Sequence, residues 1–277
     1  MKKSTTLSSL AAGIAILALI AAAGCTVSQP VTEPAPAQNE LVVFTAASLT
    51  GAMTDIAAAY EKLHPDTKIV LNVDGSQALR TQIEQGARAD LFLSANTKHM
   101  TALQAKGLID NGSVRIFAKN RLALVVPKDN PAGISVLSDI AEPGTRIVMG
   151  TKDVPFGDYT RQVLMKMSGD PVYGPEFRDA VMANVISEET AVTALVTKLR
   201  LNEADAGIAY ASDVSRDDRE YLTTLEIPDQ YNVVATYPLG ILGESEASGR
   251  AEAFAEYIMS PDGATVLARY GFSPGDG

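Results

Sequence analysis

"VFTAASLTGAM", Val43 to Met53, runs from apolar residues through a small-residue corner into helical spacing. Glu40–Ala46 reads as a buried strand, and Leu49, Met53, Ile56, Tyr60 and Leu63 recur on one face of a helix. The corner between them is unusual. Ser48 stands at the helix start, yet Gly51 occupies the place three residues on where a capping box would put Glu or Gln. No acidic side chain follows in the first turn.

The same pattern returns one unit later. "KIVLNV" (Lys68–Val73) reads as a second strand, and "VDGSQAL" turns it into a helix marked by Leu79 and Ile83. Ser76 sits at this corner, Leu79 takes the capping-box place, and Gly75 gives the backbone room to approach a ligand. A helix N-terminus carries free N–H groups and about half a positive charge, so it can hold an anion without a basic side chain. Missing carboxylates leave two such donor sets open. Either serine can instead serve as a plain N-cap, a role worth about 1 kcal/mol.

Working outward, strands and helices alternate almost throughout. "ADLFLSA" (Ala89–Ala95) precedes a helix through Met100 and Leu103; "RLALVVP" (Arg121–Pro127) opens a second series with "RIVMG", a helix Tyr159–Met167, "ANVI", a helix Val192–Leu201 and "AGIAY". "VVATYPLGIL" leads to two last helices, Ser248–Met259 and Pro261–Tyr270. Such alternation predicts an α/β fold of mainly parallel sheets flanked by helices.

The N-terminus is not part of that fold. Lys2 and Lys3 precede an apolar run from Leu10 to Ala23 that ends at "AAAGC", the pattern of an export signal. The run is shorter than the roughly 20 apolar residues of a membrane span. Its ending resembles the lipobox of prokaryotic lipoproteins, which implies cleavage after residue 24 and lipid attachment at Cys25. Cys25 is the only cysteine, so it has no disulfide partner within the chain. Residues 25–39 contain three prolines and read as a solvated tether.

Removing residues 1–24 leaves 21 basic against 33 acidic side chains, a net charge near −12. No basic run offers a phosphate footprint, so nucleic acid is not an expected partner. His64 and His99, the only histidines, are expected at the surface, as are Asp153, Asp158 and the stretch "SRDDRE". No metal-ligand cluster is visible, no G-x-S-x-G elbow surrounds Ser48 or Ser76, and no cofactor is expected.

"FTAASLTGAM", "GSQALRTQIEQGARADLFLSAN", "DVPFGDYTRQVL" and "NEADAGIAYASDV" together resemble the periplasmic molybdate-binding proteins of ABC transporters, in the same order and at similar spacing. The resemblance spans nearly everything from Glu40 and implies a type II periplasmic-binding-protein fold. On that basis lobe 1 comprises 40–120 plus 234–277, lobe 2 comprises 121–233, and two hinge crossovers join them. It also implies an oxyanion site of the Ser48 and Ser76 hydroxyls, backbone N–H groups at Phe156 and Val192, and the Tyr210 hydroxyl. Phe156 stands where the family has a small residue, Asp74 lies where a small residue is common, and Ala191 is an alternative to Val192. The implied function is an exported, lipid-anchored monomer, periplasmic or at the cell surface, and not an enzyme. It would carry molybdate or tungstate to a permease and its ATPase. A sulfate- or phosphate-type carrier and a secreted serine-dependent α/β hydrolase are the alternatives.

Overall fold

Two sheets and eight helices make up the described residues, 39–214 and 218–275, of the computed structural model. The signal segment, Cys25 and the tether up to residue 38 lie outside them. In chain order the elements are β1 (Glu40–Ala46), α1 (Thr50–Leu63), β2 (Lys68–Asp74), α2 (Ser76–Glu84), β3 (Leu91–Leu93) and α3 (Thr97–Ala105). Then come β4 (Arg115–Asn120), β5 (Leu122–Pro127), β6 (Ile147–Gly150), α4 (Pro155–Ser168), α5 (Phe177–Ala183), β7 (Val185–Glu189) and α6 (Val192–Arg200). The rest are β8 (Ala206–Tyr210), β9 (Leu222–Glu226), β10 (Ala235–Ile241), α7 (Ser248–Met259), α8 (Pro261–Arg269) and β11 (Ser273–Pro274).

The first sheet has the order β11-β4-β10-β3-β1-β2 and the second β7-β6-β8-β5-β9. Each is the floor of an α/β lobe. Both are mixed rather than mainly parallel, and the division is orderly. β2, β1 and β3 run parallel to one another, as do β7, β6 and β8. The antiparallel pairings lie next to the crossovers: β10 runs against β3 and β4 in the first sheet and β5 against β8 and β9 in the second, while β11 runs against β4 at an edge. The chain passes from the first sheet to the second at Arg121 and returns between Glu226 and Ala235.

Side-chain alternation along β1 and β3 explains why helices cover both faces of the first sheet. Leu41, Val43, Leu91 and Leu93 point into one core layer with Met53 and Ile56 of α1 and Phe254 of α7. Phe44 and Phe92 point into the other, with Leu79 and Ile83 of α2 and Met100 and Leu103 of α3. A buried Leu or Phe contributes about 1.5–3 kcal/mol, so truncating Phe92, fully buried between the second pair of helices, should cost about 3–5 kcal/mol. In the second lobe α4 and α6 pack on β6 and β8. No helix among the described residues is long and apolar enough to cross a membrane.

Two expectations about charge fail. His99 is buried, not exposed, while His64 is at the surface, stacked on Tyr60. Within "SRDDRE", Asp218 is buried and pairs with Arg200 at 3.1 Å. His99 sits on the inner side of α3 with Met100, a position that its polar sequence neighbours conceal.

Candidate functional site

All six parallel strands end at one place. The carboxyl ends of β1, β2 and β3 face those of β6, β7 and β8 across a small cavity with an empty volume of about 230 Å³. This is where open α/β sheets present helix N-termini to ligands. Ser48, Ser76, Phe156, Val192 and Tyr210, expected on the resemblance to form the site, all line this one cavity, and so does Ala191. The remaining wall is small or apolar, including Ala47, Ala95 and Pro155. Among the described residues no charged side chain lines it.

Neither serine is an N-cap. Ser48 lies inside a 3-10 turn, Ala47–Leu49, that leads into α1, and Ser76 is the first residue of α2 behind Gly75. Neither first turn holds an acidic residue, and neither start has a side-chain cap. By contrast, Asn96 caps α3 by accepting the His99 N–H at 3.2 Å, and Ser260 caps α8 by accepting from Gly263 at 3.3 Å. The starts of α4 and α6 also lack side-chain caps. So do those of α5 and α7, so a missing cap alone singles out nothing. What distinguishes α1, α2, α4 and α6 is that the residues at their starts share one cavity.

The serine hydroxyls have defined partners. Ser76 Oγ accepts the Ala95 backbone N–H at 2.9 Å, which leaves its own proton to donate elsewhere. Ser48 Oγ is 3.1 Å from the Tyr237 hydroxyl. Tyr210 closes β8 and is fully buried, with a hydroxyl that makes no hydrogen bond of normal geometry. Burial, and then its neighbours Tyr237, Tyr159 and Asp213, push the Tyr210 phenol well above its usual pKa, so it stays protonated. Its hydrogen-bonding contact with Tyr237 falls short of normal geometry, so this hydroxyl beside the cavity is under-satisfied, at a cost of up to about 1–3 kcal/mol, and can donate to a ligand.

The two residues that departed from the family pattern stand differently toward the cavity, which Phe156 lines and Asp74 does not. Phe156 is buried in the first turn of α4, its ring edge so close to Gly150 that a Cβ there would meet Cε2 at 2.7 Å. Asp74 does not line the cavity; its carboxylate accepts the Gly75 N–H at 2.7 Å. Val192 is the first residue of α6, so its N–H has no partner within the helix, and Ala191 is the extended residue before it.

The sequence reading missed Tyr237 and Asn120. Tyr237 is fully buried in β10, and Asn120, at the end of β4, donates from Nδ2 to Ser212 Oγ at 2.6 Å and to the Tyr237 hydroxyl at 3.4 Å. A signal was present: "AKN" and "ATYPLGI" each place a polar group in a run otherwise fit for burial. Neither histidine lines the cavity, so neither serine has an adjacent imidazole base there. Among the described residues no group of three or more His, Cys, Asp or Glu could hold a metal ion.

The family model of bacterial extracellular solute-binding proteins matches residues 41–273. The molybdate-binding protein of Mycobacterium tuberculosis (strain ATCC 25618 / H37Rv) is 31% identical over 268 residues, 95% of this chain and 97% of that one. The molybdate-binding protein of Escherichia coli (strain K12) is 31% identical over 247 residues, 85% of this chain and 90% of its own. In fold, the periplasmic molybdate-binding protein of Azotobacter vinelandii superposes with a TM-score of 0.71 at 19% identity, covering 84% of this chain and 98% of its own.

Proposed function

The chain belongs to the bacterial extracellular solute-binding proteins, and from that premise we propose that it captures molybdate or tungstate between its lobes and delivers it to an ABC permease and its ATPase. We assign lobe 1 to 40–120 plus 234–277 and lobe 2 to 121–233. The mature protein is a monomer outside the cytoplasmic membrane, held there through a lipidated Cys25. The ligand is bound by the Ser48, Ser76 and Tyr210 hydroxyls and by backbone N–H groups at Phe156 and Val192.

The observation that carries this reading is the buried Tyr210 hydroxyl, which makes no hydrogen bond of normal geometry, beside a cavity where the described residues supply neutral donors and no charged side chain. Donors alone suit a fully deprotonated tetrahedral dianion. Phosphate near neutral pH retains a proton that needs a buried acceptor, and leaving it unmet costs about 1–3 kcal/mol. Sulfate carries no such proton and is rejected by size alone, since the smaller ion leaves donors out of reach. The family relatives are solute carriers, and the cavity holds no base for a catalytic serine.

Calorimetry with an oxyanion panel tests the reading. Molybdate and tungstate are expected to bind far more tightly than sulfate, with no heat from phosphate. Equal affinity for sulfate and molybdate would overturn the assignment of ligand while leaving the family intact.

A further inference from the structure

One buried side-chain network touches the cavity without lining it. Asn120 ends β4 where the chain leaves the first sheet, and Arg121 N–H donates to its Oδ1 at 2.8 Å. That bond fixes the amide's orientation and turns Nδ2 toward Ser212 and Tyr237. An amide nitrogen only donates. The Tyr237 oxygen therefore accepts from Asn120, and in a chain running one way its own proton goes to Ser48 Oγ, 3.1 Å away. Ser48 Oγ then accepts, and its proton is free to turn into the cavity.

We propose that Tyr237 is a positioning residue that fixes Ser48 as a hydrogen-bond donor to the bound oxyanion, through a one-way chain from Asn120 to Tyr237 to Ser48. This deepens the oxyanion reading and rests on it. Burial, then the nearby Asp213 carboxylate, hold the Tyr237 phenol well above its usual pKa, so the chain keeps its proton throughout the neutral range. Ser76 is polarised the same way by a different group, the Ala95 N–H. Each serine thus accepts one hydrogen bond from within the protein, and its own proton is the group left to turn toward the ligand. The chain also spans the molecule: Ser212 follows β8 of the second sheet, whereas Asn120 and Tyr237 belong to the first. Discrimination at Ser48 is therefore tied to residues at the crossover rather than to the cavity wall alone.

A double-mutant cycle read by calorimetry tests this with Ser48→Ala, Tyr237→Phe and the double variant. It uses whichever of molybdate, tungstate or sulfate binds the wild type; failure of all three would overturn the oxyanion reading and this proposal with it, whereas a failed cycle with a bound anion overturns this proposal alone. Tyr237→Phe is expected to weaken binding about tenfold when Ser48 is present. With Ser48→Ala the same change should alter affinity by less than about twofold, the spread of non-interacting sites. Equal losses in both backgrounds, or no loss with Ser48 present, would overturn the proposal. Should ligand-free Tyr237→Phe fail to melt cooperatively, Asn120→Asp replaces it in the cycle. A carboxylate there accepts the Tyr237 proton and reverses the chain, so it must cost more with Ser48 than with Ser48→Ala, and equal costs would again overturn the idea.

Discussion

A Cβ placed on Gly75 would meet the carbonyl oxygen of Thr190 at 2.4 Å. Gly75 precedes α2 on the first lobe, and Thr190 precedes α6 on the second. Gly75 has φ −59° and ψ 138°, a conformation open to any residue, so the glycine is needed for close approach and not for backbone freedom.

Gly75→Ala should therefore act on the lobe–lobe contact alone. Overpacking costs about 1–3 kcal/mol, and here the penalty falls on the state in which the two corners touch. Molybdate affinity is expected to drop by that amount while the melting temperature of the ligand-free protein stays within a degree or two of wild type, about what a negligible change in stability allows. Solution scattering with saturating ligand should show less compaction than wild type. Full compaction with unchanged affinity would mean that the contact is not required for binding.

Tyr210→Phe removes a hydroxyl that makes no hydrogen bond of normal geometry in the free protein. Molybdate binding should weaken by about 1.5–3 kcal/mol, the range for a hydrogen bond to a charged group, while ligand-free stability holds or rises. Ser76→Ala makes the contrast. It strips the Ala95 N–H of its acceptor, so it should cost about 1 kcal/mol in the free protein as well as affinity. Calorimetry and thermal melts on both variants separate the two behaviours.

His99 predicts a pH dependence of stability. Burial chiefly, then the positive charges of Arg80 and Lys98, lower its pKa from 6.5 to about 4, against a weaker opposing pull from Asp153. The unfolded chain takes up a proton near pH 6.5 while the folded protein resists until about pH 4. The stability due to the neutral imidazole is thus present above the unfolded pKa and is lost as pH falls through that window, by about 2–3 kcal/mol. His99→Gln should flatten the fall in melting temperature between pH 6.5 and 4 relative to wild type. An identical slope in both proteins would refute the assignment.

Cys25→Ala should abolish lipid labelling and leave the protein either released or unprocessed. One acyl chain binds a membrane only marginally, so firm retention of the wild type implies more than one. Metabolic labelling with a fatty acid, followed by fractionation, reads both effects.

Much of the site could be read from the chain because its parts are local. Strand–helix alternation places Ser48 and Ser76 at the carboxyl ends of strands, and it is that placement, more than the missing caps, that marks them. The antiparallel strands were harder. β4 ("RIFAKN") and β9 ("LTTLE") are short and half polar, and their partners lie far away in sequence. Taken alone they carry no periodicity strong enough to be separated from loop, and the reversed sense of β10 and β5 shows only in their pairings with them and with β3 and β8. His99 was misplaced for a related reason: Thr97, Lys98 and Thr101 beside it are polar, and only the packing of α3 against α2 and β10 shows which side is inward. Tyr237 and Asn120 were hidden because their significance lies in meeting each other across paired strands.

The position of β10 sets an order of assembly. It lies between β3 and β4, and β4 has no other partner in the first sheet except the two-residue β11. A chain emerging from its N-terminus can pair β1, β2 and β3 early, but β3 keeps a bare edge, and β4 waits unpaired, until residues 235–241 arrive. The second sheet, made wholly of residues 122–226, has no such dependence. The lobe that begins first therefore finishes last, and its open strand edge is the part of the nascent protein most exposed to wrong pairing.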